Sequence, residues 1–359
     1  LWIVFSLLSI LLGSETFAIF VAFRALSTGA YSISGVLMPV IVADMFQDRA
    51  LGISLMMLTG CDIISGFIIG IASSWILSSG LPWQSGLVVG PLLAVLPLFL
   101  LFCTGRSFSN IKRTDSIDLK RSFSTAIGIL SIKSYLLLTA VTTFGIFHMK
   151  AYMFWMPSLV FNAFQATPGA FYGLSYTAIT TLNSSVMTAG ILIGLAPILW
   201  FAQSWRYGTG LFSGSMGYSR AYPIVVAIGA CLYAGSFILY VLLIVKCYVA
   251  SVIANFFVGL GQAAEASLGQ LMLLTVVPSN ARAPAIALNR LISGIVSTPS
   301  AQIIGFVSDA IRGDSTLPFD RFHAYQVSIL ISSSCLIAAA LCSFGCVFTF
   351  PQDCERAEQ

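Results

Sequence analysis

Residues 23–49, FRALSTGAYSISGVLMPVIVADMFQDR, decide the fold. The stretch is apolar enough and long enough to cross a hydrocarbon core, which takes about 20 helical residues. Yet it holds Arg24 near its start and closes on the charged cluster Asp44, Asp48 and Arg49. A cation inside a span costs roughly 2.5 to 3.5 kcal/mol on insertion scales, so a buried arginine is read first as a functional group with a partner to find. Its guanidinium offers a two-pronged donor that stays charged in a low-dielectric setting, which suits an anion. The plainer alternative is an ion pair or carbonyl anchor that holds this helix in its bundle.

Working outward, the composition leaves one class. Hydrophobic residues make up 58% of the 359 and charged residues 8%, against about 25% charged in soluble domains. The chain is therefore an all-α polytopic membrane protein. Apolar runs predict spans at 1–13, 17–43, 51–78, 85–104, 134–160, 170–203, 222–245, 248–277, 285–308 and 324–350. The first is too short to cross before the Gly13-Ser14-Glu15 turn, and with Leu1 as the opening residue it is read as a helix cut part way along. The eight cysteines lie mostly in apolar runs without metal-ligand spacing and are read as packing residues. HExxH, Walker and Ser-His-Asp patterns are absent, so an enzyme is not expected, nor a nucleic-acid partner. Asn183-Ser184-Ser185 fits the glycosylation sequon but falls within a predicted span, out of reach of modification.

Lysines and arginines set the orientation. Residues 49, 106, 112, 113, 120, 121, 133, 206, 220, 282 and 356 fall on one side of the predicted spans, and only Lys246, Arg312 and Arg321 on the other. The positive-inside rule puts the first set and the C-terminus in the cytosol. The polar segment 105–133 then separates an N-terminal bundle, 1–104, from a C-terminal bundle, 134–350, with 351–359 as a cytosolic tail. An internal repeat agrees with this division. Laying Phe23 on Phe257 also lays Leu26 on Leu260, Gly35 on Gly269, Leu37 on Leu271, Met38 on Met272 and Val42 on Val276. With one residue of slippage, Arg49-Ala50 falls on Arg282-Ala283 and Leu55 on Leu288. Two related halves are the signature of a transporter, and the register of the repeat implies two further helices ahead of residue 1.

The residues Arg24, Leu26, Gly29, Pro39, Ala43, Asp44, Phe46 and Arg49 resemble the fourth helix of the Spinster branch of the major facilitator superfamily. Trp155-Met156-Pro157, Val276-Val277-Pro278 with Arg282, and the GFVSDAIR of 305–312 are similar to further motifs of that family. The resemblance implies the superfamily's fold of two pseudo-symmetric bundles, with ten of twelve helices present. It implies alternating-access transport of an amphipathic anionic lipid, such as a lysophospholipid or sphingoid phosphate, by a monomer in lysosomal, late endosomal or plasma membranes. No cofactor is expected. Two departures call proton coupling into question: Tyr31 stands where the family's fourth helix has a glutamate, and Ser293-Gly294-Ile295-Val296-Ser297-Thr298 replaces the histidine and Gly-Asp pair of its eleventh.

On this reading Arg24 anchors the substrate's head. Glu265, opposite Tyr31 in the repeat, takes over as candidate proton carrier, with a pairing to Arg290 or a hydroxyl as the alternative. Asp62 borders the cavity beside Gly66 and Gly70, and a second pair, Gly190 and Gly194, offers the matching close approach. His148 and Lys150, two apart on one helix, point to different faces, so at most one looks into the cavity, where a cation would attract an anionic head. Arg290 is placed in the same group of substrate-binding residues, with Tyr31. Asp44, Arg49 and Arg282, at cytosolic helix ends, form a charged latch for the inward gate. Transport of another small organic anion, and a transport-inactive scaffold or sensor that keeps the fold, stay open as alternatives.

Overall fold

The structure is a computed structural model and describes residues 1–10, 16–80, 83–104, 127–213 and 218–358. Among these the regular structure is helical: α1 (Trp2–Ile10), α2 (Phe17–Met45), α3 (Asp48–Ser78), α4 (Val89–Thr104), α5 (Lys133–Ala166), α6 (Tyr176–Tyr207), α7 (Ala221–Leu243), α8 (Tyr248–Thr275), α9 (Arg282–Ser297), α10 (Ser300–Arg312) and α11 (Pro318–Glu358). Taking α9 and α10 as one interrupted run, eight helices are long and apolar enough to cross a membrane. The protein has an all-α polytopic membrane fold.

Local chemistry explains where the helices depart from the predicted spans. The run predicted from 170 starts at Tyr176, because Tyr172 and Gly173 take left-handed backbone (φ 54° and 75°) and Ser175 caps the helix, accepting the Ala178 N–H at 3.2 Å. Gly208, left-handed at φ 60°, closes the same helix. The predicted 285–308 span is broken at Thr298 and Pro299, since proline has no N–H to continue the ladder. The last helix opens with Pro318 in its first turn and runs on through 351–358 as helix. α4 has Pro91 in its own first turn, where the missing N–H costs nothing, and a 3₁₀ turn, Trp83–Val88, precedes it. The Gly13-Ser14-Glu15 turn and most of the 105–133 segment lie outside the described residues.

The chain divides into two compact units. The first holds residues 1–41 and 61–122. In it α1 meets α4 and the 3₁₀ turn, while Ser6 and Ser27 share a hydroxyl hydrogen bond of 2.6 Å and Phe5 lies against Phe23, which ties α1 to α2. The Ser73 hydroxyl donates to the Gly86 carbonyl at 2.8 Å.

The second unit holds residues 42–60 and 123–359. Its most extensive pairings are α5 with α11, α7 with α8, α6 with α8, and α7 with α11. Lipid tails are as apolar as leucine, so helices associate in a bilayer by close packing and hydrogen bonds rather than by burying oil. α8 does this through glycines on two of its faces. A β-carbon on Gly190 of α6 would lie 3.1 Å from the Leu260 nitrogen and 3.2 Å from the Gly259 Cα. One on Gly261 would lie 2.8 Å from the Gly229 carbonyl oxygen of α7. These neighbours are backbone and cannot turn aside. Gly190 and Gly194 thus seat α6 on α8 inside this unit, whereas Gly66 and Gly70 of α3 have nothing within 4 Å of an added β-carbon. The buried core around this frame joins Tyr152, Phe171, Phe237, Tyr240 and Val258.

Gly259→Val is therefore expected to lower the stability of the solubilised protein by about 3 kcal/mol through overpacking against backbone. Gly66→Val should shift it by less than about 0.5 kcal/mol. Thermal unfolding of the two variants in one detergent checks the contrast, and equal losses would contradict the packing described.

Candidate functional site

The sequence-predicted residues fall into groups that belong to separate units. In the first unit Arg24 and Tyr31 are seven residues apart on α2 and so share a face. Arg24 is half-buried, and among the described residues no carboxylate pairs with it; its own carbonyl accepts the Thr28 hydroxyl at 2.9 Å. Tyr31 donates its phenol to Asp62 Oδ1 at 3.1 Å, and its ring lies 5.8 Å from that of Trp2. The structure thus brings together two residues that the sequence picked out separately. The phenol occupies one side of the Asp62 carboxylate and fixes its direction, while Asp62 as a whole stays exposed.

In the second unit the pair His148 and Lys150 divides as their spacing requires. His148 is fully buried in the core: Nδ1 lies 3.0 Å from the Ser332 hydroxyl, Phe237 meets the ring edge-on at 4.3 Å, and Nε2 has no hydrogen-bond partner. Lys150 is exposed and donates to the Ser297 hydroxyl at 2.9 Å. Of the two, only Lys150 is presented outward. Glu265 lies over Gly145 of α5, where a β-carbon would come within 3.2 and 3.3 Å of the two carboxylate oxygens. Glycine at 145 is what admits the carboxylate. No ion pair joins Glu265 to Arg290, which is exposed.

The cluster of Asp44, Arg49 and Arg282 is built from hydrogen bonds to neutral groups. Arg49 Nη2 donates to the Thr209 hydroxyl at 2.9 Å, and its guanidinium carbon stands 4.9 Å from the Tyr207 ring centroid. Arg282 Nη1 donates to the Ala43 carbonyl at 3.3 Å, in the last turn of α2, where a cation suits the exposed carbonyl end of a helix. Asp44 is exposed. Among the described residues the ion pairs are Arg312 with Asp309 and Arg356 with Asp353, so Asp44, Arg49 and Arg282 form no charged latch with one another in this conformation.

One arrangement escaped the sequence reading. α5 and α9 run side by side with a rung at almost every turn: the Tyr135 hydroxyl donates to the Ala285 carbonyl (2.8 Å), Asn289 Nδ2 to the Thr139 hydroxyl (3.2 Å), and Thr143 and Ser293 share a bond of 3.1 Å. Lys150 to Ser297 continues the seam. The sequence holds the signal, polar residues four apart at 135, 139 and 143 and at 289, 293 and 297, which fall on one helical face each, while Ala285 joins only through its backbone carbonyl. Farther along, Trp155 Nε1 donates to the Ala301 carbonyl at 2.7 Å, its indole lies against Gly305, and it stacks on Tyr325 at 5.2 Å. Two of the motifs that carried the family resemblance, Trp155-Met156-Pro157 and the stretch opening at Gly305, therefore meet in space.

No protein-family model matches the chain, and no curated protein matches it by sequence. Among solved structures it is similar to a bacterial homologue of the human lysosomal transporter Spinster. In the inward-facing, occupied conformation of that homologue the TM-score is 0.56 at 14% identity, over 98% of this chain and 81% of the other. In the inward-facing, unoccupied conformation the TM-score is 0.59, again at 14% identity, over 98% and 82%.

Trp155→Phe should cost about 1–2 kcal/mol of stability, because it removes the donor to the Ala301 carbonyl and reshapes the contact with Gly305. Arg290→Ala, at an exposed position without a partner among the described residues, should stay within about 0.5 kcal/mol of the parent. Chemical or thermal unfolding followed by circular dichroism compares them directly.

Proposed function

We propose that the protein is a secondary active transporter that moves an amphipathic anionic lipid, a lysophospholipid or sphingoid phosphate, by alternating access between two pseudo-symmetric bundles. The observation that carries this reading is Arg24: a half-buried cation in an apolar helix, without a carboxylate among the described residues to neutralise it, in a fold shared with a transporter homologue. A phosphate head satisfies the guanidinium with two parallel charge-assisted hydrogen bonds. Tyr31, directed by Asp62, adds a neutral hydroxyl about two turns along the same face, and Lys150, in the second unit, is a further candidate cation. The acyl or sphingoid tail needs only apolar wall, which the spans supply in excess.

Alternating access asks that the contacts at the cytosolic helix ends break and reform. Arg49 and Arg282, each held by hydrogen bonds to neutral groups, suit that role better than buried ion pairs, whose rupture strands a charge. Glu265 is the proposed ion-coupling group, because its carboxylate has no hydrogen bond to satisfy it among the described residues. The rival reading, a transport-inactive scaffold or sensor, draws on Tyr31, which stands in place of the acid expected in that helix.

Uptake of a fluorescent lysophospholipid into proteoliposomes separates the two. The parent should transport, and Arg24→Ala should reduce kcat/KM by about 10- to 100-fold, the loss of one charge-assisted pair. Absence of uptake by the parent would remove the transporter reading. Glu265→Gln should abolish any dependence of the rate on an imposed pH gradient while leaving substrate binding in place; a parent indifferent to the gradient would remove Glu265 from the mechanism.

A further inference from the structure

A cleft of about 310 Å³ opens in the second unit between the start of α3 and the end of α6. Arg49, Ile53, Trp200, Gln203, Thr209 and Gly210 are among its lining residues. α6 ends at Gly208, and the chain then turns through Thr209 and Gly210, with Gly208 and Gly210 in left-handed backbone at φ 60°. This turn carries the Thr209 hydroxyl to the Arg49 guanidinium. Tyr207 supports the guanidinium from its face, and Gln203 Nε2 donates to the Arg49 carbonyl at 3.3 Å, which fixes the backbone from which the side chain springs. Arg49 is thus held in one place by its neighbours before any anion arrives.

Its donors are nonetheless mostly unused. A guanidinium has five N–H groups, and one hydrogen bond, to Thr209, is found among the described residues. No acidic side chain lines the cleft. Asp48 precedes Arg49 in sequence but makes no ion pair with it. A second cation stands close by on the same helix end: Arg206 lies over the Tyr222 ring at 4.7 Å, with Nη1 buried and lacking a hydrogen-bond partner. The balance of charge around the cleft is therefore positive, with a preformed two-pronged donor at its centre and hydroxyls at its rim.

The apolar side of the cleft points to the membrane. Trp200 is 54% exposed and Ile53 46%. An indole beside an arginine at a helix end is the arrangement found at the level of lipid headgroups. At about 310 Å³ the space is at the small end for a ligand site, which suits a phosphate with a short polyol and leaves acyl chains to run outside along Trp200 and Ile53.

We propose that this cleft binds a phosphate-bearing anion, held bidentately by Arg49 with the Thr209 hydroxyl as a further donor, at a site separate from Arg24. The same chemistry is offered by an anionic phospholipid head from the adjoining leaflet and by a soluble phosphate monoester. Basic recesses at helix ends are a general means of recognising anionic lipids.

Native mass spectrometry on the full chain tests this, with Arg24→Ala as the background so that lipid held at the proposed transport site does not enter the count. Phosphatidylglycerol, phosphatidylcholine and glycerol 3-phosphate are titrated separately. One phosphatidylglycerol should be retained, with at least tenfold preference over phosphatidylcholine, and Arg49→Ala should weaken it about tenfold. Thr209→Val, which keeps the turn's volume, should weaken it severalfold and guards against a folding defect in the arginine variant. Retention of glycerol 3-phosphate with the same dependence on Arg49 and Thr209 would support the site and assign it to a soluble anion. Equal retention of phosphatidylcholine, or binding indifferent to both substitutions in folded protein, would overturn it. Failure of lipid uptake in the parent would leave this result untouched, since the count involves no transport.

Discussion

The second unit depends on how closely α8 can approach its neighbours. In water a helix is drawn to its partners by the apolar surface it hides, but in a bilayer that drive is absent, and what remains is contact at short range. Gly259 and Gly190 let the α6 and α8 backbones touch, and Gly261 and Gly229 do the same for α7 and α8. Once those axes are fixed, the aromatic core of Tyr152, Phe237 and Tyr240 has one way to fill the space, and His148 is enclosed with it.

Polar groups are then placed by this frame rather than scattered within it. The α5–α9 seam spends its hydroxyls and amide on each other and on backbone carbonyls, so the hydrogen-bonding capacity of that face is largely satisfied within the protein. Arg24, Glu265 and Arg49 differ: each presents charge with few or no partners among the described residues. In a medium where an uncompensated charge is costly, those three positions are where the chain has most to gain from a ligand, a proton or a lipid head.

Much of this was legible in the sequence. The length and continuity of the apolar runs predict the helices, and Trp155 and Gly305, noticed as motif residues, turn out to touch. Ends of helices were less legible, because Ser175 and Pro299 each act through a local hydrogen bond that hydropathy does not record. The glycine pairs were read as packing devices, but their partners were not readable: Gly190 and Gly194 bind α6 to α8, while an added β-carbon on Gly66 would meet nothing within 4 Å. Sequence spacing separated His148 from Lys150 by face, yet which of them points inward depends on where α7 and α11 sit. The Tyr31–Asp62 bond was invisible for a related reason, since each lies on its own helix and nothing local reports their separation.

The most direct test of the account is whether position 24 is reached from both sides of the membrane. In a background with the native cysteines replaced, Arg24→Cys in sealed proteoliposomes of defined orientation is exposed to a membrane-impermeant maleimide from one side at a time. Alternating access predicts labelling from each side. Labelling from a single side regardless of lipid would contradict it.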